Sequence, residues 1–128
     1  MGPNAWMPIE DSVIPGFAKL VGAKDTEVTA MNSLTVNLHL GLVPFYKPTP
    51  DRYKILMEEN PFPSDLYAVQ SQVRWHGYEP DSSIIFVKAE KPGGIWRDED
   101  VVNLIDEVGD SVALVLLSGK SRWSSSVL

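Results

Sequence analysis

Apolar positions recur along this chain at spacings that change from segment to segment, and the changes outline its elements. From Ser12 to Val21, the residues Val13, Ile14, Phe17, Leu20 and Val21 fall on one helical face, and Gly22 follows as a stop signal. Pro15 is compatible with that helix because it falls in the first turn. Arg52 to Glu58 ("RYKILME") predicts a short strand after the "KPTP" turn. Ser64 and Asp65 are placed to cap a helix that presents Leu66, Val69 and Val73 on one face and ends near Gly77. Ile84 to Val87 is a compact apolar run, the pattern of a buried strand.

The best-defined helix lies in "RDEDVVNLIDEVG", where Val101, Leu104, Ile105 and Val108 stand at i, i+3, i+4 and i+7. Asp98, Glu99 and Asp100 crowd its first turn, where the helix dipole favours negative charge, and Gly109 stands just past its end. Val112 to Leu117 predicts a second fully buried strand. Strand, helix, strand, helix, strand is the signature of a parallel α/β sheet. One segment resists assignment. Val36, Leu38, Leu40 and Leu42 alternate with Asn37, His39 and Gly41, and Pro44 follows, so local periodicity favours a strand there.

Composition narrows the function classes. At 128 residues and 44% hydrophobic, the chain is the size and type of one ordinary globular domain. Its formal charge of -6, with eleven Lys and Arg residues spread along the length, gives no basic run for nucleic acid. Absence of cysteine excludes disulfides, thiol catalysis and Cys-based metal sites. No stretch has the length and apolarity of a membrane span or a signal peptide, and Trp6 breaks the myristoylation pattern that Met1-Gly2 would start. A cytoplasmic protein is the expectation.

Candidate chemistry is sparse. Neither GxxxxGK[ST] nor GxGxxG occurs, and "KPGGIW" is a glycine turn. Ser33-Leu34-Thr35 is either an ordinary helix cap or, if a helix starts there, an anion site made of backbone N–H groups and the Thr35 hydroxyl. His39 and His76 have no partners at metal-ligand spacing, and no metal site is expected. Ser118 ends a predicted parallel strand, where open sheets bind ligands, or simply begins a turn. Phe62, held between Pro61 and Pro63, is a stacking platform, a core plug or a hydrophobic staple.

These residues, taken together, resemble a known family. The stretch "AMNSLTVNLHLGLVPFYKPTPDRYKILMEENPFPSDLYAVQSQVRWHG" is similar to the corresponding part of kynureninases, and the similarity runs from about Trp6 to Gly119. Its sharpest motifs are Asn-x-Leu-Thr-Val-Asn-Leu-His, Lys-Pro-Thr-Pro and Phe-Pro-Ser-Asp. The resemblance implies a partial large domain of a fold-type I enzyme that uses pyridoxal 5'-phosphate, over residues 1–119, followed by a divergent tail at 120–128. It also implies that the block after Leu34 is helical, against the local alternation. Leu34 and Thr35 would meet the cofactor phosphate. Phe62 would stack on the pyridine ring, with Pro63, Ser64, Asp65 and Ser118 lining the cofactor. The reaction implied is hydrolysis of L-kynurenine, or its 3-hydroxy form, to an anthranilate and L-alanine, by a homodimer.

The same resemblance marks what is not found. The lysine that would hold the cofactor as a Schiff base sits in a Ser-Tyr-Lys type motif in that family, and none of the seven lysines here has that context. No catalytic residue is therefore assigned. The family's N-terminal arm and small domain have no counterpart in the sequence. After Gly119 the sequence continues as "KSRWSSSVL", unlike the family. The expectation is a truncated or variant product, marginally stable and inactive alone. The alternatives are a non-catalytic stub that pairs with full-length subunits, or another fold-type I enzyme of the cysteine-desulfurase or selenocysteine-lyase kind.

Overall fold

The computed structural model describes residues 6–88 and 96–118. The "KPGGIW" turn before Trp96 and the tail at 120–128 lie outside them. The chain divides into two compact units, residues 1–33 and 34–128. The first holds a short 3-10 turn, Ile9–Ser12, then helix α1, Ile14–Val21, and a second turn, Asp25–Glu27. Gly22 closes α1 at φ 69°, a left-handed conformation that glycine adopts without steric cost, and the Ala23 N–H reaches the Ala18 carbonyl at 2.9 Å. The expected apolar face is not buried. Ala18 is the buried residue of α1, whereas Leu20 and Val21 are 82% and 69% exposed.

The second unit is a three-stranded, wholly parallel sheet with strand order β2-β1-β3. In chain order it contains α2 (Leu34–Phe45), β1 (Lys54–Glu58), α3 (Pro63–Trp75), the single turn α4 (Pro80–Ser83), β2 (Ile84–Val87), α5 (Asp98–Val108) and β3 (Val112–Leu116). The expected α/β architecture with a parallel sheet is thus borne out.

Strand β1 is central, and its alternation feeds two cores. Ile55 and Met57 pack with Leu42 and Tyr46 on the α2 side and with Val69 and Val73 of α3. Leu56 packs with Val87 and Val112, against Val101, Leu104 and Val108 of α5. Ile55 and Leu56 are fully buried, as a strand covered on both faces requires. The flanking strands differ from expectation. Residues 84–86 of β2 are half-buried, and Val115 of β3 is 43% exposed, because among the described residues each strand pairs on one side only.

A bulge between Lys54 and Ile55 inserts Ala113 into β3, so Val112 opposes Lys54 while Leu114 opposes Ile55. That extra residue resets the alternation. Val112 therefore faces the α5 core, and Leu114 and Leu116 face the α2–α3 core.

Helix α2 overrides the local strand pattern. Beneath the alternation, Leu38, His39 and Leu42 lie i, i+1 and i+4 and lead on to Tyr46, the inward stripe of a helix. The remaining apolar residues, including Leu40 and Val43, stay outside at 51% and 68% exposure. Pro44 falls in the last turn, where only one intrahelical bond is lost. The Tyr46 N–H still reaches the Leu42 carbonyl at 2.8 Å.

Helix α3 ends in a Schellman arrangement: the Gly77 N–H bonds the Arg74 carbonyl at 2.9 Å and the Tyr78 N–H bonds the Val73 carbonyl at 3.1 Å, with Gly77 at φ 83°. Tyr78 then stacks on Tyr53 at 4.6 Å, and the Tyr46 hydroxyl donates to the Tyr53 carbonyl at 2.7 Å. These contacts fix the entry of the chain into β1. In α5, the Asp100 carboxylate accepts from the Arg97 N–H at 2.7 Å, an N-terminal cap. Gly109 is not a left-handed stop. Its φ is -57°, and the chain continues through a 3-10 turn, Gly109–Ser111, closed by the Ser111 hydroxyl on the Val108 carbonyl at 2.8 Å.

Two stability predictions follow from this packing. Ile55→Ala removes a fully buried side chain from the central strand and lowers unfolding free energy by about 3 kcal/mol in urea titrations, whereas Val102→Ala, on an exposed face, changes it by less than about 0.5 kcal/mol. Burial, assisted by the nearby Tyr78, pushes the Tyr46 phenol from its usual 10.0 up to about 12. The neutral phenol is the form the fold favours. Its contribution is complete below pH 10 and is lost as pH rises toward about 12. Tyr46→Phe removes that part of the alkaline loss in melts followed between those limits.

Candidate functional site

The sheet places three of its loops at the carboxyl ends of parallel strands. From β1 the chain crosses to β2 through α3, and from β2 it returns through α5, on the opposite face, to β3. Strand order reverses between β1 and β3, and open α/β sheets bind ligands in the crevice at such a reversal.

Ser118 lies two residues beyond β3, at the carboxyl end of the sheet where that reversal falls. Its hydroxyl donates to Oε1 of Glu58, the last residue of β1, sixty positions earlier in the chain. Glu58 is 8% exposed, and its Oε2 is buried with no hydrogen-bond partner among the described residues. This carboxylate was not among the sequence candidates. The available signal was its parity: Glu58 shares the face of Leu56, which points into a core and not into water.

The Phe-Pro-Ser-Asp block begins α3. Asn60, at φ 57°, turns the chain out of β1, a left-handed position that asparagine tolerates. Phe62 is the N-cap residue, with extended backbone, and Pro63 is the first helical residue. Ser64 and Asp65 consequently lie inside the first turn, and the Ser64–Asp65 N-cap read from the sequence is corrected by two to three residues. The Ser64 hydroxyl donates to Asp65 Oδ1 at 3.1 Å. Phe62 is 53% exposed, so it is no core plug, and as the cap residue it is one position past where a staple would sit. A directional surface aromatic remains. Beside it, a cleft of about 570 Å³ is lined by Pro61, Pro63, Leu66, Tyr67, Phe86 and Lys88, among others.

Leu34 and Thr35 are the first two residues of α2. The chain arrives through Asn32 at φ 52°, and the helix has no acidic side chain in its first turn. A helix start with no acidic side chain in its first turn is a setting that suits an anion. Thr35 is half-buried and Leu34 is exposed. His39 is held by the Gln72 side-chain amide, which donates to Nδ1 at 2.9 Å across the α2–α3 contact, and His76 meets the Tyr46 ring edge-on at 5.2 Å. Both histidines are packing groups here. No cluster of three potential metal ligands exists among the described residues.

The arrangement is that of an open parallel α/β sheet, with polar groups at its strand ends and a separate polar helix start at Thr35. Comparison with known proteins shows what the chain is similar to. Kynureninase of Nematostella vectensis is 57% identical over 119 residues, covering 93% of this chain and 26% of that enzyme. Kynureninase of Koribacter versatilis is 48% identical over 118 residues, covering 92% and 28%, and that of Mus musculus 43% over 119 residues, covering 93% and 26%. The resemblance to kynureninases read from the motifs is borne out over nearly the whole chain, which spans about a quarter of the length of these curated relatives. No protein-family model matches the chain.

Exposure of Phe62 gives a direct check on its role. Phe62→Ala leaves the unfolding free energy from urea titrations nearly unchanged, within about 0.5 kcal/mol, because an exposed side chain contributes little to the core. A loss of several kcal/mol would restore the core-plug reading.

Proposed function

We propose that this chain is the cofactor-lining part of a kynureninase, an enzyme that hydrolyses L-kynurenine or 3-hydroxy-L-kynurenine to the matching anthranilate and L-alanine in tryptophan catabolism toward NAD. The observation that carries it is identity of 57% to a kynureninase over 119 residues. Residues 1–119 form an incomplete large domain in this reading, with 120–128 a divergent tail. The complete protein is a cytoplasmic homodimer. Among the described residues no helix is long and apolar enough to cross a membrane.

Pyridoxal 5'-phosphate is the cofactor proposed, and its bound form supplies the electron sink for the cleavage. The donor set here is compatible with it. The start of α2, free of acidic side chains in its first turn, suits the phosphate, with the Leu34 and Thr35 backbone and the Thr35 hydroxyl as its ligands. Phe62 offers an exposed ring for stacking, and Pro63, Ser64 and Asp65 line the same turn. Ser118 and the unpaired oxygen of Glu58 supply polar groups at the crevice. What these residues do is bind and orient. No lysine among the seven is assigned to the covalent step.

A second reading, a non-catalytic stub that pairs with full-length subunits, is favoured by the outer face of α2, where Val36, Leu40 and Val43 are all at least 46% exposed. Mass spectrometry of the product from its source cells, with kynurenine hydrolysis assayed on the purified protein, separates the two. A product much heavier than 14.2 kDa that hydrolyses kynurenine supports the enzyme, and a 14.2 kDa product that co-purifies with longer subunits without activity supports the stub. Robust hydrolysis of kynurenine by the 128-residue chain alone would overturn the stub reading and the expectation that the chain is inactive alone. In the native product, Thr35→Ala weakens pyridoxal phosphate and inorganic phosphate alike, about tenfold each, in equilibrium titrations.

A further inference from the structure

The buried carboxylate at the end of β1 has no evident use in holding the fold together. Removing a carboxylate from water is costly, and the cost is recovered only when its oxygens are fully hydrogen-bonded. Glu58 is more than nine-tenths buried, has one partner in Ser118, and leaves Oε2 unpaired among the described residues. An apolar side chain at this end of the central strand would have served stability better. A buried polar atom left without a partner calls for a specific explanation.

Proton counting supplies one. A serine hydroxyl has one proton and two lone pairs. The Ser118 proton is committed to Glu58, so toward anything else Ser118 can only accept. Toward the crevice the Ser118 oxygen therefore presents lone pairs and no proton. A phosphate, itself an acceptor and an anion, is the wrong complement for it. The right complement is an N–H or O–H group, above all a protonated nitrogen.

We propose that Glu58 is a positioning residue that fixes Ser118 as a hydrogen-bond acceptor, so that the crevice between β1 and β3 receives a proton-bearing group of the ligand and never its phosphate. This rests on the proposed cofactor-lining role of Ser118, and it assigns that role a sense. Anion and donor ends of the ligand are sorted between two different places: the start of α2 takes the former, and the ends of β1 and β3 take the latter. The site's two halves, sixty positions apart in the chain, belong to non-consecutive strands, so it exists only once the sheet has formed.

The test is run on the native product, whatever its length, with three probes: pyridoxal 5'-phosphate, pyridoxal and inorganic phosphate. Dissociation constants are measured for the wild type, Glu58→Gln, Ser118→Ala, Ser118→Thr and the Glu58→Gln/Ser118→Ala double variant, with melting temperatures taken without ligand. Expected is a loss of about tenfold for pyridoxal and its phosphate in Glu58→Gln and Ser118→Ala, with inorganic phosphate binding unchanged. Ser118→Thr, which keeps the hydroxyl, retains affinity, and the double variant is no weaker than Ser118→Ala. A structural role would move melting temperature and all three probes together. The inference is overturned if the Glu58→Gln variant binds pyridoxal as the wild type does, if it loses inorganic phosphate in parallel, or if the two losses add. Should Glu58→Gln not fold, the contrast between Ser118→Ala and Ser118→Thr decides. Wild-type protein that binds neither pyridoxal probe sinks the cofactor reading itself, and this inference with it. Wild-type binding with the wrong variant pattern sinks the inference alone.

Discussion

Everything in the larger unit is arranged around one strand that touches no water along most of its length. β1 is paired in parallel on both edges and covered on both faces, so its residues must be apolar on both parities. That requirement explains "KILME" as a near-continuous apolar run, and it dictates where helices go. Apolar stripes on α2 and α3 close one face and that of α5 closes the other. Hydrogen bonds from the strand ladder satisfy the buried backbone, and Tyr46 and Tyr53 anchor the strand's entry.

The same constraint creates the chemistry at the strand's exit. A carboxylate at the end of an outer strand would turn to solvent. At the end of β1 it is enclosed by its neighbours, and Ser118, arriving from β3, is the group that meets it. Sheet order therefore does more than stabilise. It converts two residues that are ordinary in sequence into a pair with a defined hydrogen-bonding sense at the point where strand order reverses.

Kynureninase relatives match nearly all of this chain while extending about four times as far. The described sheet is consistent with that relation. β2 and β3 are half-covered edges, and a parallel sheet ordinarily has both edges and both faces attended to. Exposed apolar residues on α1 and α2 are of the same kind. The groups proposed to bind and orient a ligand lie in the stretch matched by those relatives, whereas no residue here is assigned to covalent chemistry.

Sequence by itself determined the order and type of most elements. Ile84–Val87 and the helix from Asp98 to Val108 stand where periodicity put them, because each has one dominant spacing and clear boundary residues. The alternation from Val36 to Leu42 misled, since α2 is apolar beyond the stripe it buries, and only packing against α3 and β1 decides which apolar residues go inside. Family motifs supplied that answer where local pattern did not. Ser118 is marked as a candidate by its place after a strand, and Phe62 by its flanking prolines. Glu58 was not, because burial of a strand-end carboxylate depends on which strands lie beside it. Strand order, the bulge at Ala113 and the Glu58–Ser118 pair are decided by contacts between residues far apart in the chain, and no local spacing encodes those.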